Sequence, residues 1–374
     1  MNYFIKNIHI NKLFHLNDFD IPISKEEFPH LIITGKNGSG KTVLLNAISD
    51  FLNIIKNDKS AEDENLYGRV DVQSDLLGSI IEKYNRGEFV IAFYQADRKI
   101  KMSEPKNPTK PVYNKKGDVK DTATSQFLNF LSDLKIQEAL ARNEKQMKEA
   151  DEINAWLEDF EGMMRQIYQD DNLSLEFNYR DYSFKICTEG KKFKFTEVSD
   201  GFAAVLDIVA DLILKMQDDN SLTRSYQKEG IVLIDEIETH LHLALQKVIM
   251  PLLTKVFPNI QFIITTHSPF VLSSMPNAVA YDLEHQKVLD NLTEYSYESL
   301  AEGYFGVRTQ SSYAEMQLET FKKLLAKDEL SDADKVEIKQ LKSDFEKITE
   351  VVSPLIVGEF RQIVIQNAEK LNSL

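Results

Sequence analysis

Apolar and polar residues alternate along the first stretch, MNYFIKNIHINKLFHLND, with the period of two expected of a half-buried β-strand. The pattern then changes. HLIIT (His30–Thr34) is an unbroken apolar run, as in a strand covered on both faces, and TVLLNAISDFLNII after it spaces its apolar residues as a helix does. Phe89–Tyr94, Ile231–Ile234 and NIQFIITTH, which ends at His267, read as further buried strands. Residues 122–169 carry the apolar faces of two helices, and LSLEFNY, YSFKICT and KFKFT read as short strands. FTEVSDGFAAVLDIVADLILKM (Phe195–Met216) returns to helical spacing, with Ser199 placed as its N-cap. Residues 291–374 read as all-helical: Ser331 caps ADKVEIKQLKSDFEKITEVV, Ser353-Pro354 ends it, and a last helix runs to about Leu371. Strands alternating with helices predict an α/β fold around a parallel sheet.

Composition narrows the class. A chain of 374 residues, 43% hydrophobic and 28% charged, can bury a sizeable core and suggests two or three domains. No apolar run approaches the roughly 18 residues that span a bilayer, and the first residues lack the apolar block of a secretion signal, so no membrane role is expected. A single cysteine, Cys187, excludes a disulfide framework and a thiolate zinc site within the chain, and points to a reducing cytoplasm. The net charge of −15 argues against a protein coated in nucleic acid, while leaving room for a local basic groove.

The chemistry starts where the HLIIT strand stops. Gly35, Lys36, Asn37, Gly38, Ser39, Gly40, Lys41 and Thr42 fit G-x-x-x-x-G-K-[ST] without a mismatch. Glycines let backbone N–H groups close around phosphates, Lys41 would reach the β- and γ-phosphates, and the Thr42 hydroxyl would ligate Mg²⁺. A strand before the loop and a helix after it put the phosphates at a helix N-terminus, which a chance glycine turn does not require. ATP with Mg²⁺ is the expected cofactor pair. EGIVLIDEIETHLH supplies the acidic partners: Asp235 to hold the metal and Glu236 to polarise the attacking water, both at the carboxyl end of a buried strand. His267, at the end of the next strand, is placed to contact the γ-phosphate or its water. The bland alternative for it is a cap of the segment that Ser268-Pro269 opens.

These residues resemble the ABC-type ATPase head, in the branch shared by SMC/RecF-like DNA ATPases, OLD-like proteins and AAA ATPases of prokaryotic phage defence. The branch's LIDE-x-E-x-x-LH strand and its TTHSPF strand both occur here. The resemblance covers residues 1–96 and 172–290, and it implies two further elements. One is a signature motif that meets the γ-phosphate of a second subunit. Val198-Ser199-Asp200-Gly201-Phe202 stands where Leu-Ser-Gly-Gly-Gln is usual, so Ser199 and Gly201 would bind the partner's nucleotide. Asp200 departs by bringing a carboxylate towards a polyphosphate. The other is a strand-end glutamine that senses Mg²⁺, for which Gln95 in FVIAFYQADR is the candidate; whether Gln95 or Arg98 faces the nucleotide stays open.

The expected architecture is therefore an ABC-type P-loop head with a short helical lid and a helical C-terminal appendage. Residues 1–96 form its first part, 97–171 a basic loop and lid, 172–290 its second part, and 291–374 the appendage. The segment Arg98–Lys120 has eight Lys/Arg against two acids and three prolines, and reads as a solvated linker or as a docking surface for nucleic acid or an acidic partner. The lid is too short, and lacks the Cys-x-x-Cys, for the long zinc-hook coiled coil of break-repair ATPases. The tail shows no strand-borne acids of a Toprim nuclease. The resemblance implies the ATPase subunit of an antiphage system of the Septu, retron-associated or PARIS type, a homodimer or higher even-numbered oligomer controlling a separately encoded nuclease or toxin. A RecF/SMC-like DNA-repair ATPase and a nucleotide-gated scaffold with negligible turnover are the alternatives.

Overall fold

The structure, a computed structural model, describes residues 4–23, 30–56, 69–74, 77–98, 102–105, 118–217, 226–289, 292–306, 312–327, 329–348 and 353–372. Most of the basic segment Arg98–Lys120 lies outside these residues. The strands are β1 (Asn7–Leu13), β2 (Leu16–Pro22), β3 (His30–Thr34), β4 (Val70–Gln73), β5 (Phe89–Tyr94), β6 (Ser174–Asn178), β7 (Ser183–Thr188), β8 (Lys191–Lys194), β9 (Glu229–Ile234), β10 (Ile260–Thr265), β11 (Ala278–Asp282) and β12 (Lys287–Leu289).

A six-stranded sheet has the order β12-β11-β3-β10-β9-β5. From β11 to β5 every neighbouring pair is parallel, so the carboxyl ends of β3, β10, β9 and β5 share one edge. Every residue of β3, β5 and β10 is buried, which is why their sequences read as unbroken apolar runs rather than alternations. The N-terminal alternation becomes the antiparallel hairpin β1–β2, joined by β4 on the far side of β1. Ile8, Ile10 and Leu13 face a core shared with Leu31 and Ile33 of β3 and with Leu44, Leu45 and Ile48 of the helix Lys41–Lys56. Burying one such side chain is worth roughly 1.5–3 kcal/mol, so this layer fixes the loop between strand and helix.

The insertion folds as two helices, Phe127–Asn143 and Met147–Tyr168, packed through Phe127, Phe130, Trp156 and Phe160. The sheet β6-β7-β8 follows and leads into the helix Asp200–Met216, hereafter the signature helix. Every residue from Ala203 to Leu214 of that helix is buried, including Asp207 and Asp211. Asp211 accepts hydrogen bonds from Tyr94 Oη (2.7 Å) and the Ala123 amide (2.6 Å), and pairs with Lys215. The carboxylate thus ties β5, the start of the insertion and the signature helix together.

The chain divides into two compact units, Met1–Tyr295 and Ser296–Leu374. The second is helical: Tyr297–Gly303, Ser312–Leu325, Asp332–Glu346, Pro354–Gln366 and Ala368–Asn372. The capping box read at Ser331 and Asp334 is present. The strands β4, β11 and β12 and the helix Leu77–Asn85 have no counterpart in the sequence reading. Three or four residues of VDVQ or KVL hold too few alternations to register. Among the described residues, no helix is long and apolar enough to cross a membrane.

Candidate functional site

The P-loop runs from the buried end of β3 to the helix that begins at Lys41. Gly35, Gly38 and Gly40 take φ of 132°, 84° and 99°, a left-handed region in which a Cβ would be strained. These positions therefore favour glycine. Lys41, 6% exposed, donates from Nζ to the carbonyls of Gly35 (2.8 Å) and Lys36 (3.0 Å). Burial pushes its pKa down, against the opposing pull of Glu236, Glu238, Asp235 and Asp282. Lys36 is anchored to Glu284 at 3.0 Å, just beyond β11.

The acidic side of the cleft is built from two adjacent strand ends. Thr265, the last residue of β10, donates from Oγ1 to Asp235 Oδ1 at 2.6 Å and accepts from the Glu236 amide at 2.7 Å. One hydroxyl thereby fixes both carboxylate-bearing residues. Glu236 has φ of 43°, a left-handed conformation that a non-glycine side chain keeps only where the surroundings hold it. Its Oε2 accepts from Thr239 Oγ1 at 3.2 Å. Glu238 accepts from Thr266 Oγ1 at 2.7 Å and from the His267 amide at 2.5 Å, so it clamps the chain that carries His267. Burial raises the Glu238 pKa above the ordinary carboxylate value. His267 is half-buried, and burial, followed by the positive charge of Lys41, lowers its pKa and favours neutral imidazole.

One cleft joins these groups. It is lined by Asn37, Gly38, Gly40, Lys41, Thr42 and Val43 from the P-loop side and by Glu236 and His267 opposite. Leu13 at the end of β1, and Phe14 and His15 in the turn to β2, complete it. Phe14 is 79% exposed and has φ of 57°, an exposed aromatic ring on a left-handed backbone beside the P-loop. A ring at a binding cleft offers a stacking face.

The donor set suits a magnesium-bound polyphosphate. A helix N-terminus and an ammonium attract anionic oxygens. The Thr42 hydroxyl and Asp235 carboxylate are hard oxygen donors of the type Mg²⁺ takes together with phosphate. Ser39 Oγ is buried at the loop without a hydrogen-bond partner among the described residues, but Ser39 does not line the cleft. Among the described residues, no group of three or more His, Cys, Asp or Glu side chains could hold a metal without phosphate.

The remaining expected residues sit elsewhere. Gln95 is exposed at the end of β5 and does not line the cleft. Arg98 is 8% exposed and donates to the backbone behind Asp235 and Glu236. Ser199 occupies the N-cap position of the signature helix, but its side chain makes no capping hydrogen bond, so the expected cap is positional only. Ser199 and Asp200 are exposed. Gly201 is buried, and a Cβ there would lie 2.8 Å from the His240 carbonyl oxygen. Glycine is thus needed for the signature helix to approach the loop after Glu238. Sequence reasoning missed the parts played by Phe14, Arg98, Glu238 and Thr265. Glu238 and Thr265 stand inside the very motifs that were read, but a motif does not say which side chain bonds which.

The chain is 29% identical over 180 residues to "Septu protein PtuA" of Bacillus mycoides (strain KBAB4), covering 46% of this chain and 25% of that protein. It is 34% identical over 117 residues to "Retron Vc95 probable ATPase" of Vibrio cholerae serotype O1 biovar El Tor, 31% of this chain and 21% of the relative. It is 47% identical over 77 residues to "Retron Ec83 probable ATPase" of Escherichia coli, 20% and 14% of the two chains. The matched stretches thus span a quarter or less of these curated relatives. Among solved structures it is similar to an Smc head bound to the C-winged helix domain of ScpA, with a TM-score of 0.43 and 14% identity over 76% of this chain and 97% of that one. With a phosphate loop and an acidic strand end on one edge of a parallel sheet, and with a family profile matching residues 31–273, the chain belongs to the family described as "AAA domain, putative AbiEii toxin, Type IV TA system".

Proposed function

We propose that this chain is an ATP-hydrolysing subunit of a prokaryotic antiphage defence system, working as a homodimer or a higher even-numbered assembly and controlling a separately encoded nuclease or toxin. The observation that carries the ATPase reading is the convergence of Lys41, Thr42, Glu236 and His267 on one cleft, with Asp235 held beside Glu236 by Thr265. The defence reading is supported by the likeness to Septu and retron ATPases over partial lengths.

In this reading the amides from Gly35 to Gly40, together with Lys41, hold the β- and γ-phosphates, and Phe14 stacks on the base. Thr42 and Asp235 would hold Mg²⁺, with Gln95 as a further candidate ligand that lies outside the cleft in this structure. The metal, when bound, would neutralise phosphate charge. Glu236 takes the proton from the attacking water, which a carboxylate does only while ionised. His267, kept neutral by burial and by Lys41, donates to or accepts from the water or the γ-phosphate without adding charge. Glu238 sets the His267 backbone and so the ring's approach. Ser199 and Gly201 complete the site from a second copy.

A mixing experiment tests the composite site. Lys41→Ala disables nucleotide binding and Ser199→Arg disables the donated surface. A heterodimer of the two retains one intact site, so the mixture should regain a readily measured part of wild-type turnover that neither variant shows alone. Heterodimers that form and stay inactive would remove the composite site, and ATP-dependent assembly without phosphate release would favour the scaffold.

A further inference from the structure

Arg98 is buried but does not line the cleft, and its hydrogen-bond acceptors are carbonyls. From Nη1 it donates to the Asp235 carbonyl at 3.0 Å and, more weakly, to the Gln95 carbonyl at 3.4 Å. From Nη2 it donates to the carbonyls of Glu236 (2.9 Å) and Ile237 (3.3 Å). Three successive carbonyls after β9 are therefore gathered on one planar group. Only the fixed fork of a guanidinium can span them; an ammonium is a point donor on a flexible stem.

The gathered residues are the ones whose geometry needs holding. Glu236 has φ of 43°, and such a backbone reverts unless it is over-determined. Thr265 restrains the turn from β10, through the Glu236 amide and Asp235 Oδ1. Arg98 restrains it from the opposite neighbour, β5, whose end is locked to the same turn by the Asp235 amide donating to the Tyr94 carbonyl at 2.8 Å. Burying a guanidinium is costly, and here Glu238, Asp207, Asp235 and Glu236 offset the charge. A cationic side chain meant only for solubility would stay in water, and one meant for phosphate would line the cleft.

We propose that Arg98 is a positioning residue for hydrolysis: its guanidinium binds the carbonyls of Asp235, Glu236 and Ile237 and holds the Glu236 carboxylate in line with the cleft. This rests on the ATPase reading above and deepens it. Nucleotide affinity belongs to the P-loop, so loss of Arg98 acts on turnover rather than on binding.

The test compares Arg98→Met and Arg98→Lys with the wild-type chain, by ATP hydrolysis and by amide hydrogen exchange. Arg98→Met should lower kcat on the order of 10–10²-fold, the scale of a misplacement of about 1 Å at a reacting centre. Its KM for ATP should stay within about threefold. Arg98→Lys should fall between the two, and serves in its place if the methionine variant does not fold. Exchange should accelerate at the amides of residues 236–241 while the core of β9 and β10 keeps its protection. Wild-type kcat with unchanged exchange would overturn the assignment, as would acceleration spread evenly over the head. If the wild-type chain hydrolyses no ATP the ATPase reading fails on its own, and the exchange comparison still decides whether Arg98 holds the turn.

Discussion

At the carboxyl edge of the parallel sheet, Lys41 is 6% exposed, Arg98 8%, Asp235 2% and Thr265 0%; in the helical unit from Ser296, none of the described polar or charged side chains is buried. That unit keeps Leu318, Phe321, Phe345, Phe360 and Ile363 inside and places its ion pairs, such as Lys322–Glu319 and Lys322–Glu359, at the surface. Charges removed from water cost more than an apolar side chain of the same size. A fold that only needs to pack therefore leaves them out, as the helical unit does. The sheet edge accepts the cost, and it also carries a left-handed Glu236. The difference separates a region shaped by chemistry from one shaped by packing.

The largest effect expected from the packing side is at Phe321, fully buried between Phe345 and Phe360 with ring centroids at 6.4 and 5.7 Å. Phe321→Ala should destabilise the helical unit by about 3–5 kcal/mol, seen as lost exchange protection across Ser312–Leu325 and Pro354–Gln366. ATP turnover should stay within about twofold of wild type. A loss of turnover matching that of a cleft variant would break the comparison.

A smaller effect is expected at Glu238, whose pKa burial raises. Between its unfolded and folded pKa values the folded state binds more protons, so its contribution to stability falls as pH rises through that window. The slope should be negative above about pH 4.3, the unperturbed glutamate value, and Glu238→Gln should flatten it. Denaturant midpoints measured across pH for the two chains decide this. Parallel curves would mean that Glu238 gains enough from Thr266 and the His267 amide to cancel its burial.

Much of this contrast was legible in the sequence. The runs HLIIT, IVLI and FII announce a sheet covered on both faces, and GKNGSGKT, DE and TTH stand where each run stops. Strand ends could thus be assigned chemistry before their order was known. What resisted reading depends on neighbours that are distant in the chain. Arg98 meets Asp235 across 137 positions and Thr265 meets it across 30. No local pattern carries such a pairing. Arg98 reads from sequence as an alternative to Gln95 for facing the nucleotide and as the start of a basic linker or docking stretch, and only the parallel pairing of β5 with β9 puts it behind Glu236 instead. Phe14 could not be found at all, because an exposed aromatic at a hairpin turn has no periodic signature. The helical unit was easier: Ser331, Asp334 and Ser353-Pro354 mark its helix boundaries within a few residues.

Glu236 is assigned the proton from the attacking water, and this is most directly tested by measuring ATP binding and phosphate release on the same Glu236→Gln preparation, beside wild type and Lys41→Ala. Glutamine keeps the size of the side chain and removes the base. Affinity for ATP should stay near wild type while phosphate release falls on the order of 10²–10⁴-fold, the loss expected when a general base is removed, whereas Lys41→Ala should lose affinity itself. Near-normal phosphate release from Glu236→Gln would contradict the assignment.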